Sequence, residues 1–147
     1  MEKTKIALGA DHAGYLYKAK MIEYLSSKGY ECVNVGTDSG ESVDYPIYAG
    51  KVCKLVQSGE CRFGILICGT GIGMSMAANK HHGIRAALCT DTEAARLTRM
   101  HNDANVLCLG ARVMTYEKAI EILDVFLATD FMGEHHIKRV KMLDDLV

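Results

Sequence analysis

Residues 63–73 read Phe63-Gly64-Ile65-Leu66-Ile67-Cys68-Gly69-Thr70-Gly71-Ile72-Gly73. The first six are apolar or small without alternation, the pattern of a strand covered on both faces, as in a parallel sheet sandwiched between helices. The next five form a glycine-rich turn that opens a helix. Working outward, β-rich runs fall at residues 5–9, 31–35, 84–88 and 104–109. Helical spacing separates them. Leu16, Ala19, Ile22 and Leu25 mark a helix over 15–28 that Gly29 ends, and Ile47, Ala49, Val52, Leu55 and Val56 mark another over 46–57. A short helix follows the glycine turn to about residue 80. Thr90-Asp91-Thr92-Glu93 fits a capping box with Thr90 as the cap. Thr115 caps a helix to about residue 128, and a last helix begins near Glu134.

The sum is five βα units. Right-handed crossovers then predict a three-layer α/β/α, Rossmann-like domain with a five-stranded parallel sheet, one domain spanning residues 1–147. Ligands of such sheets bind beyond the carboxyl ends of the strands. A site is therefore expected from residues 9–14, 36–38, 68–73, 90–91 and 110–112.

Composition narrows the function classes. The chain has 147 residues, 49% of them hydrophobic, enough for a core without disulfides or metals. One proline, scattered glycines and 24% charged residues exclude collagen, low-complexity disorder and coiled coil. Lys and Arg number 17 against 18 Asp and Glu, so no charge excess points to nucleic acid or an anionic membrane. No apolar run reaches the ~18 residues of a bilayer span, and the first residues lack the pattern of an export signal. The six cysteines, at 32, 53, 61, 68, 89 and 108, show no CxxC spacing. Reduced thiols in the cytoplasm are expected, with Cys32, Cys89 and Cys108 as small core residues and no structural metal.

Four segments carry candidate chemistry. In Cys68-Gly69-Thr70-Gly71-Ile72-Gly73 the glycines admit close backbone approach and the helix start offers unpaired N–H groups. No Gly-Lys-Ser/Thr follows, so it is not a Walker loop, and its GxGxG spacing after the third strand is not a dinucleotide fingerprint. Cys68 stands at the strand tip, where thiols beside helix N-termini favour the thiolate; the alternative for it is a buried small hydrophobe. Thr70 can hydrogen-bond a substrate oxygen. Asp11 and His12, after the first strand, could polarise sugar hydroxyls or bind phosphate, or Asp11 could simply cap the next helix. His101, Asn102 and Asp103 end the fourth helix, at the amino edge of the sheet and so far from Cys68. As functional residues they would serve the site of a neighbouring subunit; otherwise they are a helix terminus. The basic segment His135-His136-Ile137-Lys138-Arg139, with Arg112, could supply phosphate-binding cations or form a solvated face.

Together these segments resemble the type B ribose-5-phosphate isomerases, in the superfamily shared with the galactose-6-phosphate isomerase subunits. The carriers are GADHAG at 9–14, SVDYP at 42–46, ICGTGIG at 67–73, AANK at 77–80, GIRA at 83–86, HNDANV at 101–106 and GARV at 110–113. The resemblance implies an aldose–ketose isomerase without metal or cofactor, cytoplasmic and at least dimeric, acting on a small sugar phosphate through an enediolate. Cys68 would be the base, Thr70 would move protons between oxygens, and the N–H groups of Gly69, Gly71, Ile72 and Gly73 would hold the enediolate. His101 would open the furanose, with Asp11 as its counterpart, and Asn102 would hold a sugar oxygen. His12, Arg112, His135 and Arg139 would face the phosphate.

Some relatives carry a Glu base where this chain has Met74, and many carry Arg where it has His135. The intact His101-Asn102-Asp103 run favours pentose over galactose 6-phosphate. A hexose-6-phosphate isomerase (allose or galactose 6-phosphate) is the alternative within this chemistry. A non-catalytic sugar-phosphate-binding module, which needs neither Cys68 nor His101, is the alternative outside it.

Overall fold

The computed structural model describes residues 2–147. Strands and helices alternate: β1 (Lys5–Ala10), α1 (Tyr15–Ser27), β2 (Glu31–Asn34), α2 (Tyr45–Gln57), β3 (Phe63–Cys68), α3 (Ile72–Ala78), β4 (Ala86–Leu88), α4 (Thr92–Asn102), β5 (Val106–Gly110), α5 (Tyr116–Ala128) and α6 (His136–Asp144). All strand pairings among the described residues are parallel, in the order β2-β1-β3-β5-β4. The expected three-layer α/β/α architecture is the observed one.

The central strands β1, β3 and β5 are buried almost throughout and send alternate side chains to opposite layers. Ile6, Leu8, Ile65, Ile67, Leu107 and Leu109 meet Met21 and Leu25 of α1, Ala95 of α4 and Phe126 of α5. Ala7, Leu66, Cys68, Val106 and Cys108 meet Val52 and Cys53 of α2 and Met74 of α3. Each fully buried Leu or Ile contributes roughly 1.5–3 kcal/mol of transfer free energy, so this double-sided core accounts for the sheet.

Several expectations shift. The helix over 92–102 is capped by Asp91, whose carboxylate accepts from the Ala94 N–H at 2.7 Å, and not by Thr90. The Thr115 cap is present, accepting from Lys118 N–H at 3.1 Å. Cys32 is only half-buried because β2 is an edge strand. The inner face of α1 is Lys18, Met21 and Leu25, while Leu16 is 59% exposed. Periodicity could not place an ammonium inside. Lys18 is buried because its Nζ donates to Asn34 Oδ1 at 2.6 Å and pairs with Asp38 at 2.7 Å, which offsets the cost of desolvation.

Candidate active site

The strand order sets the location. From β1 the chain passes to β2 on one side and then to β3 on the other, so the connections leave β1 and β3 in opposite directions and open a crevice at their carboxyl ends. The loops after β1 and β3 meet there. Asp11 N–H donates to the Ile67 carbonyl at 3.1 Å. Asp11, 7% exposed, accepts from the N–H groups of Ala13 and Gly14 through Oδ1, at 2.9 and 3.2 Å. Asp11 is not the cap of α1, which is Gly14 with no side-chain cap hydrogen bond; its Oδ1 shapes the loop that leads into that helix, and the side chain stands at the crevice. Gly14 is obligatory, since a Cβ there would lie 2.4 Å from the Ile67 carbonyl oxygen. His12 Nδ1 accepts from Val43 N–H at 3.3 Å, so in the neutral ring the proton is on Nε2 and available to a ligand oxygen.

Cys68 is buried at the tip of β3, on the α2/α3 side. Gly71 N–H donates to its sulfur at 3.2 Å. Gly71 caps α3 with φ +81°, the left-handed conformation that lets the chain turn back over the thiol. Thr70 is exposed, and its Oγ1 accepts from Ile72 N–H at 3.2 Å. The loop after β5 is clamped on by two backbone hydrogen bonds, Ala111 N–H to Cys68 O and Arg112 N–H to Gly69 O, both 2.9 Å. Arg112 therefore lies across Gly69, its Cδ 3.3 Å from where a Cβ would stand. Burial pushes the other thiols upward, Cys53 to about 12, Cys89 to about 11 and Cys108 well above its ordinary value. These three stay protonated in the core at neutral pH.

One contributor escaped the sequence reading. The Tyr45 ring lies over Gly73, where a Cβ would come within 2.7 Å of it. Tyr45 is 38% exposed, so it forms an aromatic wall beside the glycine loop. Its signal was the Tyr-Pro pair that opens α2, which reads first as a helix start.

His101, Asn102, His135 and Arg139 stand elsewhere. Asn102 ends α4, which leads into Val106, and Val106 pairs with Gly64 at the amino end of β3. Four residue steps of sheet, about 13 Å, separate that edge from Cys68. The end of α4 is firmly held. Asp103, with φ 47°, pairs with Arg99 at 2.8 Å and Arg85 at 3.5 Å, and Arg85 also grips Asp144 of α6 at 2.9 and 3.0 Å. His101 and His136 stack, and His135 and Arg139 lie exposed on the same end of α6. The described chain thus has two half-constellations on opposite edges of one sheet: Asp11, His12, Cys68, Gly69, Thr70, Gly71, Ile72, Gly73 and Arg112 on one, and His101, Asn102, His135 and Arg139 on the other. An open cleft of about 990 Å³ also lies at the amino edge. Its lining cations, Lys3, Lys5, Arg62 and Arg99, are balanced by Glu2, Glu31, Glu60 and Asp130, so it carries no anion preference.

A doubly wound sheet with a thiol and a glycine loop at its switch point is the scaffold of a small-molecule enzyme, and the chain matches the family model described as Ribose/Galactose Isomerase over residues 6–143. It belongs to the ribose/galactose isomerase family. Within that family it is similar to the ribose-5-phosphate isomerase B of Escherichia coli (strain K12), 46% identical over 139 residues covering 95% of this chain and 93% of that protein. It superposes on the ribose 5-phosphate isomerase of Thermotoga maritima with a TM-score of 0.95 at 50% identity, covering 98% and 99% of the two chains. On the ribose-5-phosphate isomerase B of Clostridium thermocellum the TM-score is 0.96 at 48% identity, covering 97% of each. The type B resemblance drawn from the motifs is borne out.

Proposed function

We propose that this chain interconverts ribose 5-phosphate and ribulose 5-phosphate, as one catalytic domain that completes its site by pairing with a second copy. The observation that carries the reading is Cys68: a thiol at the switch point, under a left-handed glycine cap, with an N–H aimed at its sulfur. In the open-chain aldose the Cys68 thiolate removes the C2 proton. The negative charge moves to O1, forming an enediolate that backbone N–H donors of the Gly69–Gly73 stretch stabilise; one such donor is worth about 10²–10³ in rate. The same thiol returns the proton to C1, and Thr70 relays the proton between O2 and O1. Cys68 is the base because the alternative position in the loop is Met74, buried and without a proton to exchange.

The remaining steps need the other half-constellation. Asp11 faces the furanose from one side and His101 of the second copy from the other, moving the protons that open the ring. Asn102 holds a sugar oxygen. His12 and Arg112 from one copy, with Arg139 and His135 from the other, surround the phosphate. The opposite placement of the two groups in one chain supports this pairing, as does exposed apolar surface at Ile47, Ile72 and Met76. The reaction needs no metal, so chelators leave turnover intact. No helix among the described residues is long and apolar enough to cross a membrane, and the reading is of a cytoplasmic enzyme.

A hexose 6-phosphate is the second reading, favoured by His135, whose shorter side chain leaves more room at the phosphate end than an arginine. The deciding experiment assays ribose, allose and galactose phosphates with wild type and Cys68→Ala together. Turnover of ribose 5-phosphate should dominate and fall by about 10²–10⁴ in the variant, while calorimetry still detects sugar-phosphate binding. Preference for a hexose phosphate would transfer the assignment. Full activity in Cys68→Ala would reject the base, and binding without turnover of any sugar in the wild type would reject the enzyme.

A further inference from the structure

A histidine that shuttles protons has to present one nitrogen at a fixed angle, and the usual device is a carboxylate or carbonyl on the other nitrogen. His101 has none among the described residues. The carboxylate in its own turn, Asp103, is occupied by Arg99 through one oxygen and Arg85 through the other. What touches the ring instead is another ring. His136, from the first turn of α6, lies over His101 with centroids 4.5 Å apart and planes 18° from parallel. His136 is itself 8% exposed, and its backbone N–H is tied to the Gly133 carbonyl at 3.1 Å. The Arg85–Asp144 pair anchors the helix that carries it. His135 covers it from another side with centroids 4.0 Å apart.

We propose that His136 is a positioning residue for His101: its ring is the platform that holds the His101 imidazole flat and aimed away from α6 during sugar-ring opening. This rests on the reading of His101 as the ring-opening group. The platform works best uncharged, because an imidazolium 4.5 Å from His101 would oppose each protonation of its neighbour. The surroundings keep it so. Burial first, then repulsion from the neighbouring His135 and His101 rings and from Arg139, holds His136 below its ordinary value, against a smaller opposite pull from Glu134. A stacked pair is also a poor metal site, since parallel rings point their lone pairs side by side and not at a common centre.

The test compares two substrates. Ribose 5-phosphate presents a furanose. 4-Deoxyribose 5-phosphate lacks the O4 that closes it, so it needs the isomerisation chemistry but no ring opening. His136→Ala removes the platform, and His136→Phe restores a flat ring in the same place. The expected result is a fall of about tenfold or more in kcat on ribose 5-phosphate for His136→Ala, the scale of a small misplacement of a catalytic group. KM should change little, 4-deoxyribose 5-phosphate turnover should fall far less, and His136→Phe should recover most of the loss. Equal loss on both substrates, a rise in KM alone, no loss in His136→Ala, or a Phe variant as impaired as the Ala variant would each overturn the proposal. His101→Asn, run alongside, separates the two layers. Equal loss on both substrates in that variant rejects ring opening by His101, and this inference with it. Substrate-selective loss in His101→Asn with none in His136→Ala rejects the platform alone.

Discussion

Cys68 and Gly14 illustrate how the site depends on single atoms. The sulfur of Cys68 meets an N–H because Gly71 adopts φ +81°, and the loop that carries Asp11 packs on β3 because residue 14 has no side chain. Gly14→Ala would drive a methyl to 2.4 Å from the Ile67 carbonyl oxygen, on backbone that cannot rotate away. The expected cost is about 1–3 kcal/mol or more, read as a lower urea midpoint. A variant as stable as wild type would mean that the β1–α1 loop relaxes freely, and Asp11 would then lose its fixed place at the crevice. From sequence, a glycine in GADHAG is legible as a turn residue. Which carbonyl it must clear is not, because Ile67 lies 53 positions away and the two meet only through strand pairing.

Among the elements, the segment between β2 and α2 depends on a buried charge. Lys18 of α1 holds Asn34 and Asp38, and further along the same segment Val43 donates to His12. The hydrogen bond from Lys18, then that from Asn34, holds the Asp38 carboxyl below its ordinary value. A depressed carboxylate stabilises the fold above its unfolded value and loses that contribution as pH falls through the folded value. The tether should therefore weaken below about pH 4, the ordinary range of an aspartate. Lys18→Met should remove this acid dependence with little change in global stability at neutral pH, since Asp38 is 72% exposed and stays hydrated. The same variant should raise KM for the sugar phosphate, because His12 loses the segment that orients it. Stability measured from pH 7 to 3 for both proteins checks the first claim and steady-state kinetics the second; parallel acid profiles would reject the tether. Helical periodicity predicted Leu16 on the inner face of α1, and the Lys18 partners, 16 and 20 residues away, are what turned the helix otherwise.

For the whole molecule the decisive question is whether one subunit contains a complete site. If the two half-constellations meet across an interface, Cys68→Ala and His101→Asn homo-oligomers are each impaired in a different half. Subunit exchange between them would rebuild one intact site per mixed dimer. An equal mixture should then regain about a quarter of wild-type activity, because half of the dimers are mixed and each has one good site of two, as a two-fold arrangement requires. No recovery after demonstrated exchange would place the site within one chain and refute the pairing. Sedimentation of the wild type should show a dimer or larger.

The sequence by itself determined the fold class, because an apolar run such as 63–68 fits a strand covered on both faces, and its alternation with helical stretches in five βα units leaves few topologies. It also determined, through order along the chain, that Cys68 and His101 end on opposite edges. Only the tertiary structure decided the strand order that puts the crevice between β1 and β3, the Tyr45 wall over Gly73, the burial of Lys18, and the stack of His136 on His101. Each of these joins side chains from elements distant in sequence. Local periodicity records which face of a helix is apolar, whereas the partner of that face depends on packing and on pairing of charges across the fold.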